Sequence, residues 1–170
     1  MNNIILLAAD FARRAHEGQV RKYTGAPYIS HPARVAGRAA VHRLATVDMV
    51  VAAYLHDVLE DTEIKDWELE IFSPRVQELV KELTNPSKDS AEPRAIRKQQ
   101  DRDHLAIISD QGKVLKLLDR IDNVADMTAC PDKKFVALYL LESKLLAEAI
   151  GEVDSELKQE LLSLIESMKP

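Results

Sequence analysis

The stretch Val47–Thr62, VDMVVAAYLHDVLEDT, decides how this chain is read. Its first half is almost wholly apolar, as expected of a helix buried on every side. Its second half places His56, Asp57, Glu60 and Asp61 within six positions. A core helix has no packing reason to carry such a set. Residues four apart share a face of a helix, because about 3.6 residues make one turn. His56–Glu60 and Asp57–Asp61 then form two neighbouring columns on one flank. Val51, Leu55, Val58 and Leu59 form the apolar flank opposite. The expectation is a helix running through the motif. Such a His-Asp pair can hold a metal ion, with the acidic pair one turn on close enough to act on a water or substrate nearby; taken alone, the pair reads more simply as a solvated helix end with a structural histidine.

Working outward, helical periodicity recurs along the whole chain and period-two alternation is nearly absent. A first helix is expected from Asn3 to Glu17, stopped by Gly18. The loop Gly18–Ser30, punctuated by Gly25 and Pro27, leads into a second helix from His31 to Leu44. Thr46 or Asp48 starts the third. Ser73 and Pro74 form an N-cap and first helical position, ahead of an apolar face of Val76, Leu79, Val80 and Leu83. Further helices are expected over Arg94–Ile108, Gly112–Met127, Asp132–Ile150 and Asp154–Met168. The fold class is all-α, with about eight to nine helices in one domain spanning residues 1–170.

Composition narrows the function. The 170 residues are 46% hydrophobic and 30% charged, a balance that specifies a globular chain. A net charge of −5 argues against general nucleic-acid binding, which needs a basic footprint, but leaves room for a local basic pocket. The single cysteine, Cys130, cannot form a disulfide within the chain and suits a reducing compartment. Arg13 and Arg14 follow the first apolar run instead of preceding it, unlike a signal peptide, and no run is long enough for a membrane span. A cytoplasmic protein without membrane or nucleic-acid partners is expected. Its oligomeric state is not readable from the sequence.

Two more stretches join the opening motif. In PYISHP, His31 opens a helix directly after a loop; in KVLKLLDRIDN, Asp119 falls near the buried stripe of its helix. A buried carboxylate needs a partner, and a cation is a natural one. His31, His56, Asp57 and Asp119 together make a set of two imidazoles and two carboxylates. That mixture suits a divalent transition ion such as Mn²⁺, Fe²⁺ or Zn²⁺. His16, His42 and His104 show no ligand spacing and read as structural.

With these motifs in view, the order H…HD…D resembles the HD-domain metal phosphohydrolases. AHEGQVRKYTGAPYISHPARVA, AAYLHDVLEDT and KLLDRIDN are similar to the hydrolase domain of RelA/SpoT-type alarmone enzymes, and specifically to the stand-alone small alarmone hydrolases, the animal SpoT-homologue type included. The resemblance implies an HD-type helical fold, one Mn²⁺, and removal of the 3′-pyrophosphate from guanosine 3′,5′-bis(diphosphate). It makes His31, His56, Asp57 and Asp119 the metal ligands and Glu60 and Asp61 the catalytic acidic pair. It assigns Arg21, Lys22, Tyr28, Arg120 and Asn123 to the nucleotide. Asp122 departs from the family, which often carries His or Tyr there. An adenosine alarmone or NADPH is therefore an alternative substrate, and a silent nucleotide-binding module an alternative role.

Overall fold

The structure, a computed structural model, describes residues 3–168; the two residues at each end of the expected domain lie outside it. Among the described residues every regular element is a helix, apart from an isolated antiparallel bridge between Val20 and Pro27. The chain divides into two compact units. One comprises residues 1–21 and 25–85; the other comprises residues 22–24 and 86–170.

The first unit contains α1 (Asn3–Ala15), α2 (Ser30–Ala40), α3 (Val47–Leu55), the single turn α4 (Val58–Asp61), a 3₁₀ segment over Asp66–Ile71 and α5 (Pro74–Leu83). Helix α3 is its hub and packs against α1, α2 and α5. Thr46 caps it, its hydroxyl accepting from Met49 N at 3.1 Å. Met49, Val51, Ala52, Ala53 and Leu55 are fully buried. Helices α2 and α3 pack closely, and each buries alanines, Ala36 and Ala39 on α2 and Ala52 and Ala53 on α3. Ser73 caps α5 as expected, accepting from Val76 N, with Pro74 at the first position.

The second unit contains α6 (Arg94–Ile107), α7 (Asp110–Asp126), α8 (Lys133–Ile150) and α9 (Ser155–Ser167), with 3₁₀ turns at Met127–Ala129 and Gly151–Val153. Helix α7 packs on α8 and α9, and its Val114, Leu117, Leu118, Ile121 and Val124 are buried. Ser109, Asp132 and Asp154 cap α7, α8 and α9, which fixes those starts close to the expected positions. No helix among the described residues is long and apolar enough to cross a membrane.

Three expectations need adjustment. Helix α2 ends at Ala40 instead of Leu44; the chain then turns, and His42 Nδ1 accepts from Leu44 N at 3.1 Å. The 3₁₀ segment Asp66–Ile71 was not foreseen, since its short apolar pattern is too brief to register as periodic. Most consequentially, the helix does not run through the opening motif. It stops at Leu55 and restarts at Val58, with Asp57 at φ −99°, ψ −7° between the two. That bridge region of backbone space is sparsely populated and recurs at active sites.

Candidate metal centre and active site

The break at His56–Asp57 aims the motif. His56 is the C-cap of α3, and its Nδ1–H donates to the Ala53 carbonyl at 2.8 Å. With the hydrogen on Nδ1, Nε2 carries a bare lone pair, the form in which imidazole binds metals. His31, fully buried at the start of α2, brings its Nε2 to 3.1 Å from that atom. Asp57 Oδ2 lies 3.2 Å from His56 Nε2 and 3.4 Å from His31 Nε2.

These three atoms form a nearly equilateral triangle. Ligands roughly 2.1 Å from one ion stand about 3.0 Å apart in octahedral geometry and about 3.4 Å apart in tetrahedral geometry. The observed edges fall in that interval, so the residues fit a divalent ion.

The acidic pair is anchored on both members. Tyr28 OH lies 2.8 Å from Asp57 Oδ2 and 2.8 Å from Asp61 Oδ2, bridging a triangle carboxylate to the second acid of the motif. Burial and the two carboxylates push the phenol far above its ordinary value, so it stays a donor. Glu60 turns elsewhere. Its Oε1 accepts from Asn85 N, and its Oε2 from Asn85 Nδ2 at 3.3 Å. The main-chain bond Asp61 N–H to Asp57 O, 2.9 Å, keeps the expected four-residue register despite the break. Asp61 is exposed and Glu60 half-buried, an arrangement that presents Asp61 to solvent water.

Arg21 is buried, and its guanidinium carbon sits 5.5 Å from the Tyr28 ring centre. The first unit thus brings together His31, His56, Asp57, Tyr28, Asp61 and Arg21. It directs Glu60 to Asn85, a partner that nothing in the sequence pattern announces.

In the second unit, Asp119 is buried on α7 as its apolar neighbours implied. A cation does meet it: Lys116 Nζ, itself buried, at 3.0 Å. The i,i+3 spacing could have signalled this pair. Asn123 Nδ2 donates to the other oxygen of the same carboxylate. Arg120 lies 4.8 Å over the Tyr139 ring and donates to Ser143 Oγ at 3.3 Å. Its Nε is buried without a hydrogen-bond partner. Lys22 lies 5.8 Å from the Phe135 ring centre, and Arg94 lies 5.4 Å from it. The charged stretch over residues 87–103 makes specific pairs. Arg94 forms a two-pronged bond to Glu142, 2.8 Å on each prong, and Lys98 meets buried Asp101 at 2.9 Å.

An HD-domain family model matches residues 8–147. Mouse guanosine-3′,5′-bis(diphosphate) 3′-pyrophosphohydrolase MESH1 is 40% identical over 130 residues, which cover 74% of this chain and 70% of that one. The zebrafish protein of the same name is 36% identical over 143 residues, 82% of this chain and 77% of its own. A solved structure of a metazoan orthologue of SpoT, described as hydrolysing ppGpp and acting in starvation responses, superposes with a TM-score of 0.88 at 26% identity. It covers 98% of this chain and 96% of that one. With helices throughout and a His, His-Asp cluster in the family's order, the chain belongs to the HD-domain family.

Proposed function

We propose that this protein is a metal-dependent pyrophosphohydrolase that removes the 3′-pyrophosphate of guanosine 3′,5′-bis(diphosphate) and related alarmones in the cytoplasm. One observation carries the reading: three ligand atoms converge to edges of 3.1–3.4 Å, and a phenol ties that triangle to an exposed carboxylate. The relatives' activity on the same nucleotide supports it.

In this proposal His31, His56, Asp57 and Asp119 hold the ion. Mn²⁺ is the assigned ion, with Fe²⁺ or Zn²⁺ as substitutes that the same donor set would accept. When bound, it neutralises phosphoryl charge and lowers the pKa of a coordinated water. Asp61 takes the proton of the attacking water, and Glu60 orients that water. Asn85 and Tyr28 keep the two carboxylates apart and fixed in direction. Arg21, Lys22, Tyr28, Arg120 and Asn123 receive the nucleotide; the cations among them offset phosphate charge on a chain of net charge −5. The water oxygen adds to the phosphorus next to the ribose, and the ribose 3′-oxygen leaves and takes up a proton. The products are pyrophosphate and a nucleotide with a free 3′-hydroxyl.

The test is a substrate panel. Purified protein with Mn²⁺ is incubated with ppGpp, pppGpp, ppApp and NADPH, and products are separated. Release of pyrophosphate from the guanosine compounds is expected. Turnover confined to ppApp or NADPH would transfer the activity to that nucleotide. Metal-loaded protein inert towards every substrate would leave a binding module.

A further inference from the structure

We propose that His16 and Gln19 are positioning residues that hold Asp61 through its main chain while Tyr28 holds it through its side chain. The inference rests on the reading of Asp61 as the water-handling carboxylate.

Asp61 ends α4, a helix of one turn, and Thr62 after it is fully extended at φ −135°, ψ 179°. The last carbonyls of any helix have no partner within it, and a single turn is too short to hold itself. Asp61 sits where both problems meet. Its carbonyl accepts from Gln19 Nε2 at 2.8 Å, across forty-two positions of chain. The orientation of the Gln19 amide follows: its other end, Oε1, faces His16 Nδ1 at 2.8 Å. An amide oxygen can only accept, so His16 Nδ1 carries the hydrogen. His16 Nε2 is buried with no hydrogen-bond partner, which suits the same tautomer.

The His16 ring in turn stacks on Tyr28, centres 4.4 Å apart and planes 22° apart. The Tyr28 hydroxyl returns to Asp61 Oδ2. The circuit His16–Gln19–Asp61–Tyr28 therefore closes on itself. Main-chain bonds brace it, from Gln19 N to His16 O and from Tyr28 N to Gln19 O, both 3.0 Å. Gly18, at φ +78°, makes the turn that lets Gln19 face back towards α4, a conformation other residues rarely adopt. A residue 3% exposed whose ring and Nδ1 are both engaged, and whose engagements both end on Asp61, is placed to set that carboxylate's direction.

The experiment is a double-mutant cycle of Gln19→Met with Asp61→Asn, read as kcat and KM with Mn²⁺ and ppGpp. Gln19→Met keeps length and removes the donor to the Asp61 carbonyl. On the wild-type background it is expected to lower kcat ~10-fold through misplacement of Asp61, with KM and bound manganese unchanged. On the Asp61→Asn background it should cost less than about two-fold, because the group it positions is gone. His16→Phe, which keeps the stack and loses Nδ1–H, should reproduce the kcat effect. Equal losses on both backgrounds, or no loss on wild type while Asp61→Asn is impaired, would overturn the positioning role alone. Near-full turnover by Asp61→Asn would overturn the underlying reading of Asp61 as well.

A measurement without metal or substrate is independent of turnover. ¹⁵N-histidine spectra of the metal-free protein should show His16 as the Nδ1–H tautomer and should change in Gln19→Met; an Nε2–H tautomer would overturn the tie. Should Gln19→Met lower the Tm, Gln19→Glu keeps the acceptor towards His16, loses the donor towards Asp61 and replaces it in the cycle.

Discussion

The two units treat their buried carboxylates differently. In the second, setting aside Asp119, which the proposal gives to the ion although Lys116 also meets it, Asp101 meets Lys98 and Glu142 meets Arg94, each acid paired with a cation from its own unit. In the first, Asp57 faces two imidazole nitrogens and a phenol. A lysine or arginine pair is complete in itself. Imidazole nitrogens and a carboxylate oxygen crowded to within 3.4 Å make a donor set that a divalent ion would unite. The difference separates acids that serve stability from acids that serve chemistry, and each prediction below presses on that division.

The largest effect is expected at His56. Changing His56→Ala removes one corner of the triangle and the Nδ1 bond to Ala53. Bound metal should fall well below one equivalent by elemental analysis. Turnover should drop by more than the roughly 10²-fold typical of losing a positioned general base. Unchanged metal stoichiometry would refute the ligand assignment and blur the contrast between the units.

Next comes the acidic pair. Glu60→Gln with Asp61→Asn keeps shape while removing basicity. About 10²-fold or more should be lost from turnover, with metal and fold retained. Substrate affinity should hold or tighten, since two negative charges near the phosphates are gone; isothermal titration with a slowly turned-over substrate reads this directly. Near-full turnover in the double variant would leave the pair as no more than a charged helix end.

The sequence made much of this division legible, though unevenly. Helix positions followed from apolar periodicity and caps: Thr46, Ser73 and Asp154 stand where their side chains accept from the following turn. The clustering of His31, His56 and Asp57 followed from residue type and order. The break at Asp57 did not, because φ and ψ there answer to tertiary contacts that no local pattern carries. The partners of Glu60 and Asp61 were equally hidden. Asn85 and Gln19 are polar residues in loops, twenty-five and forty-two positions from the groups they hold, and no local spacing announces those partners. His16 read as structural because ligand spacing was the only signal sought; its stack on Tyr28 depends on how the Gly18–Ser30 loop returns.

A smaller effect should follow at Glu142. Its bond to Arg94 is two-pronged, the strong geometry for such a pair, and the carboxylate is largely buried. The Arg94 side chain is 39% exposed, so solvent screens the attraction. Glu142→Gln should cost about 1 kcal/mol, a Tm shift of roughly 2–4 °C for a chain of this size. Thermal melts with and without manganese should show the same loss. A loss that appears only in the metal-loaded protein would mean that this pair, too, serves the metal centre.

The smallest effect concerns Asp101 and acid. This side chain on α6 is buried, and burial alone would raise its pKa. Hydrogen bonds from Ser87 and Lys98, with the Lys98 charge at 2.9 Å, more than offset that and hold it below the ordinary carboxylate value. A depressed folded-state pKa contributes stability that is present above the unfolded value of about 3.9 and lost as pH falls through the folded one. The window therefore lies below about pH 4. Asp101→Asn should be less stable than wild type at pH 7 by about 1 kcal/mol or less, and the gap should narrow between pH 7 and a pH well below about 4. Denaturant melts at both pH values, repeated with chelator, measure it. Because the cation here is a lysine of the same unit, the gap at pH 7 should be indifferent to chelation. A gap that persists at low pH would assign Asp101's contribution to shape and hydrogen bonding instead of charge. A gap that responds to chelator would erase the distinction between an acid matched by its own chain and an acid that awaits an ion.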